Sequence, residues 1–130
     1  MNVGPQAASS VTAQIVRRRT VTSQNNIMTA AGQKLRRVRE QLNLRYRDVA
    51  QASLLIADRH NNPEFAIALS RLADIENRGT LPNIYRLYSL CAIYGLKLEE
   101  VMRWYGVDIN ELTRDAKACA EWRNTAQPVP

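Results

Sequence analysis

The chain has little of what catalytic and cofactor-binding sequences usually carry. It holds one histidine, two cysteines and one phenylalanine in 130 residues. His60 stands between Arg59 and Asn61, with no nucleophile constellation and no second ligand placed around it, so it reads as a turn residue. There is no P-loop and no GxGxxG, which removes the commonest phosphate and dinucleotide cradles. Glu99 and Glu100 are adjacent, so on a helix they point apart and make a poor acid–base pair. Cys91 and Cys119 form no CxxC pair and sit inside apolar helical patterns, which favours core packing over a disulfide or a metal site. No run approaches the roughly 18 apolar residues of a membrane span, and the N-terminus lacks the compact apolar stretch of a signal peptide. These absences lead us to expect a soluble cytoplasmic protein that is not an enzyme and has no metal, cofactor, small-molecule ligand or membrane partner.

Glycine and proline are also scarce, at five each, and the apolar 45% recurs at helical rather than alternating spacing. An all-α domain with one real core follows for a chain of this length. The formal charge is +6, and its placement matters more than its size. Arg17, Arg18 and Arg19 form one cluster. Between Gly32 and Arg47, six basic side chains face Glu40 alone, whereas residues 48–130 are slightly acidic. A positive field confined to one arm and one helix–turn region suits a phosphate backbone better than general solubility requires.

In chain order, residues 1–28 read as a flexible arm, residues 29–106 as a helical domain and residues 107–130 as a further helix and tail. The first helix is expected from about Thr29 to Gln41, burying Leu35, Val38 and Leu42, with Lys34, Arg36 and Arg37 facing water and Asn43 breaking it. The second starts near Arg45 or Tyr46 and carries Val49, Ala50, Ser53, Ile56 and Ala57 inward. Asn62 and Pro63 punctuate, and a third helix from about Phe65 to Glu76 buries Leu69, Leu72 and Ile75, leaving Ser70, Arg71 and Asp74 outside. Gly79 supplies a turn and Asn83 caps the fourth helix. Ile84, Leu87, Tyr88, Cys91 and Tyr94 make that helix apolar nearly all round, so it is expected at the centre of the bundle. A fifth helix spans Leu98 to Tyr105. Asp108 to Glu111 looks like a capping box, stapled by Val107 and Leu112, ahead of a sixth helix ending near Arg123.

The segments LRRVREQLNL, RYRDVAQAS, RLADIENRGTLPNI and YRLYSLCAIYGLKLEEVM, taken in that order, resemble the helix-turn-helix domain of the Cro and phage-repressor type, the XRE-like regulators. Asp48-Val49-Ala50 stands for the ELA-like core of that pattern, Ile75-Glu76 for the end of its third helix, and Gly95 to Val101 for its closing segment. The resemblance runs from Leu35 to Gly106. It implies a compact five-helix bundle, here with an extra C-terminal helix, and a third helix placed in the major groove with the second crossing the backbone above it. It also implies a structural ion pair between Arg39 and Glu76. The chain departs from the pattern between helices two and three, where about a dozen extra residues, Leu54 to Ile67, are expected to lengthen helix two at its end and helix three at its start.

The resemblance implies double-stranded DNA as partner and action as a homodimer on a two-fold site. Arg45, Tyr46 and Arg47, at the start of helix two, would meet phosphates through guanidinium groups and backbone N–H groups. Arg71 could take guanine O6 and N7, while Ser70 and Asp74 share its face. Asp74 would repel phosphates and could instead orient Arg71 or Arg78. Asn77 and Arg78, past the helix end, are candidate backbone clamps, and Leu69 is assigned to the core. A second reading, supported by Asp74, the insertion and the aromatic C-terminal half, is a protein-interaction module on the same scaffold, an antitoxin or adaptor. Exposure of Ile67 beside Trp122 would favour it.

Overall fold

The computed structural model describes residues 26–126, so the Arg17–Arg19 run lies outside the described residues. Within them the chain is all-helical: α1 (residues 26–41), α2 (Tyr46–His60), α3 (Leu69–Asn77), α4 (Ile84–Tyr94), α5 (Leu98–Trp104) and α6 (Leu112–Ala126). Short 3-10 turns lie at Pro63–Phe65 and Ile109–Glu111. Residues 26–28, assigned above to the arm, are already helical.

Local chemistry sets these limits. Asn43 takes a left-handed φ of 58° and ends α1, as Asn61 does for α2 at 51°. Both are the non-glycine residue type that tolerates this region best. The Arg45 N–H donates to Asp48 Oδ2 at 2.7 Å, so an acidic side chain satisfies a donor at the start of α2. Asn83 caps α4 by accepting from the Arg86 N–H at 2.8 Å, and Gly95 closes it at φ 68°.

One core joins α1 through α5. Leu35, Val49, Leu72, Ile75, Leu90 and Val101 are its deepest helical side chains, and Ile67 joins them from the segment before α3. Burial pushes the Cys91 thiol up to about 11, keeping it a neutral packing group. Gly32 lets α1 lie close against α3: a Cβ there would collide with the Ile75 carbonyl oxygen. Leu42, Leu69, Ile84 and Tyr88, expected inside, are exposed. Each is apolar and near a buried stripe, but the neighbouring helices stop short of covering it. The fourth helix therefore has one open side rather than being wrapped all round. Cys119 is likewise exposed rather than packed.

The insertion resolves differently at its two ends. α2 is lengthened to His60, as expected. α3 is not lengthened: Pro63–Phe65 forms its own turn, and Ala66 and Ala68 are extended. Three side chains hold the segment that way. Ser53 Oγ accepts from the buried Ile67 N–H at 2.8 Å, Ser89 Oγ donates to the Phe65 carbonyl at 2.6 Å, and Arg86 Nε reaches the Ala66 carbonyl at 3.3 Å. Backbone groups that a helix would have paired are satisfied instead by α2 and α4. Phe65 stacks on His60 with ring centroids 4.4 Å apart and meets Tyr85 and Tyr88 edge-on. His60 is thus the last residue of a helix, pinned by an aromatic neighbour.

Beyond α5, Gly106 turns the chain at φ 88° and Asp108 Oδ1 accepts from the Asn110 N–H at 3.0 Å. Val107 and Leu112, the expected staple, both lie exposed. α6 reaches Ala126 and buries none of its fifteen residues.

Candidate functional site

The site is built from one row of α1 aimed at the end of α3. Gln33, Arg36 and Arg39 are three apart, so they share a helix face. Gln33 Nε2 donates to the Glu76 carbonyl at 3.2 Å, and Arg36 Nη1 to Asn77 Oδ1 at 3.4 Å. Arg39 grips the Glu76 carboxylate with two bonds, Nε to Oε2 at 2.7 Å and Nη2 to Oε1 at 2.9 Å. Cationic and amide donors here meet the carbonyl end of a helix, where the backbone dipole favours them.

Glu76 is 0% exposed, and the fork geometry is what makes a buried carboxylate tolerable. Arg39 also donates to the Leu44 carbonyl at 2.8 Å and lies over the Tyr46 ring, 4.6 Å from its centre. Its hydrogen bonds to Glu76 hold its guanidinium above the ordinary range. Burial, followed by the nearby Glu76 charge, raises Tyr94 above the usual phenol range.

From this anchor the structure places the sequence-predicted residues as follows. Tyr46 sits half-buried at the start of α2, and its hydroxyl accepts from Asn77 Nδ2 at 3.2 Å. That bond ties the first residue of α2 to the last residue of α3. Asn77 thus ends the helix rather than following it. Arg45 and Arg47 flank Tyr46 and are exposed; Arg45 Nε lies 3.4 Å from Asp48. The Arg45 backbone and side-chain hydrogen bonds lower the Asp48 carboxyl below its ordinary value.

On α3, Ser70 and Arg71 are exposed and Asp74 is partly so. Asp74 Oδ1 lies 3.6 Å from Arg78 Nε, so of the two arginines it could orient, it faces Arg78. Among the described residues Arg47 and Arg71 have no ionic partner. Leu69, assigned to the core from the sequence, is instead 51% exposed at the first position of α3. It borders a groove of about 430 Å³ lined by Ala50 and Leu54 of α2, Ala66 to Arg71, and Arg86.

Arg36 is exposed, as expected, but sequence reasoning did not foresee that it also donates to Asn77. Its spacing from Arg39 was the available signal, because any residue three before an inward-reaching arginine points to the same side. It also missed Leu54, 56% exposed beside Leu69. No sequence signal distinguishes an uncovered leucine of this kind from a covered one. Ile67 is buried while Trp122 is exposed, so these two form no common surface.

Among the described residues, no cluster of histidine, cysteine, aspartate or glutamate could hold a metal ion, and no helix is long and apolar enough to cross a membrane. No family model, curated protein or solved structure matches the chain.

Proposed function

We propose that this chain is a sequence-specific DNA-binding transcriptional regulator, reading the major groove with α3 and acting as a homodimer on a two-fold operator. The observation that carries the reading is the Arg36–Asn77–Tyr46 chain of hydrogen bonds. It fixes the cationic start of α2 against the end of a helix whose outer face is exposed, so a phosphate contact at one would set the register of the other. In this reading the Arg45 and Arg47 guanidinium groups take phosphates, with Arg78 as a second clamp. Arg71 addresses guanine O6 and N7, Ser70 a neighbouring base edge, and exposed Leu69 offers the apolar contact that suits a thymine methyl. Asp74 holds Arg78 rather than reading a base.

A second reading has its own support. The groove between α2 and α3, flanked by exposed Leu54 and Leu69, is the kind of surface that takes an apolar side chain of a protein partner, as in an antitoxin or adaptor.

Selection of bound sites from random duplexes separates the two. The DNA reading expects a recovered motif whose affinity falls on the order of a thousandfold between 50 and 200 mM salt. Arg45→Ala with Arg47→Ala should reduce the salt slope by about two. Recovery of no motif, with weak binding to every duplex, would leave the partner reading in possession.

A further inference from the structure

We propose that α6 is a self-pairing surface: two copies of this chain associate through antiparallel α6 helices centred on Cys119. The inference concerns the free protein and stands whether or not the chain binds DNA.

The first observation is that α6 is a helix without a partner. None of its fifteen residues is buried, and Leu112 and Trp122 are each 66% exposed. A helix of this length is marginal alone in water and is held in proteins by covering an apolar face. At ~100° per residue, Leu112, Ala116, Cys119, Trp122 and Ala126 fall within about 60° of the Cys119 direction. They make one stripe along the whole helix, and Asp115 and Arg123 stand within it, about 40° to either side of Cys119.

The second observation selects the occupant. Cys119 is the middle residue of α6, and the sequence is complementary to itself when reversed about that point. Antiparallel alignment sets Asp115 level with Arg123 of the second copy, twice by symmetry. Bulky Trp122 then lies level with small Ala116, and Leu112 with Ala126. Parallel alignment would oppose Asp115 to Asp115, Arg123 to Arg123 and Trp122 to Trp122, which repels at both charged levels and crowds the third. Opposite charges meeting across a self-complementary patch are what a two-fold contact requires. The small Ala116, Cys119 and Ala126 let the helices approach closely.

The test is sedimentation equilibrium of the full chain under reducing conditions. A dimer is expected, and Trp122→Glu should raise its dissociation constant at least about tenfold. Asp115→Arg and Arg123→Asp should each weaken it several-fold, while the double exchange D115R/R123D should return it to within about threefold of the starting chain. Diamide, which takes two protons and two electrons from two thiols, should yield a covalent dimer that Cys119→Ser abolishes. All of these side chains are exposed, and melting followed by circular dichroism confirms that each variant stays folded. The proposal fails if the chain is monomeric up to about 100 µM. It also fails if a dimer is indifferent to W122E, or if the charge exchange does not restore pairing.

Discussion

At the scale of single residues, Arg39 carries the most structural weight. One guanidinium meets a carboxylate through two bonds, a main-chain carbonyl through a third, and an aromatic face. Each contact belongs to a different stretch of chain, so the residue welds α1, the start of α2 and the end of α3 together. Removing its partner strands a guanidinium whose side chain is only 12% exposed. Glu76→Ala is therefore expected to cost about 3–5 kcal/mol, read from chemical denaturation. A loss under about 1 kcal/mol would mean that water reaches the guanidinium and that the pair is ornamental. The Arg39–Glu76 pairing was implied in the sequence only through the resemblance, since nothing in the spacing of two residues 37 apart dictates contact. Gly32 was not legible in that way, because a glycine in a helix looks the same whether it faces water or another backbone.

At the scale of elements, the caps and stops were readable, because each rests on the conformational chemistry of one residue. Asn83, Gly95 and Gly106 act where their types require. What could not be read was coverage. Helical spacing tells which side chains share a face, but not whether a neighbour is long enough to lie over them, and Leu69, Ile84 and Tyr88 differ from buried leucines and tyrosines in that respect alone. The linker before α3 escaped notice for a related reason. Ser53 was expected to point inward, but nothing in the spacing told that it and Ser89 hold the backbone of Ile67 and Phe65 in place. Ser53→Ala leaves the Ile67 N–H buried without an acceptor and is expected to destabilise the fold by about 1–3 kcal/mol in a denaturant titration. An unchanged midpoint would show that the linker is held by the packing of Ile67 instead.

At the scale of the whole molecule, residues 26–105 contain every buried side chain among those described, and α6 adds none. Ending the chain at Gly106 should leave the unfolding free energy within about 1 kcal/mol when extrapolated to low protein concentration, where any association contributes nothing. A loss of several kcal/mol would place α6 against the bundle in solution. The same division governs α3. Its inner side and final turn are committed to the frame through Leu72, Ile75 and Glu76, whereas Leu69, Ser70 and Arg71 touch little of it. The outer positions are therefore a replaceable cassette. Their side chains can be exchanged while the scaffold keeps its shape, so chemistry on this face can vary without threatening the fold.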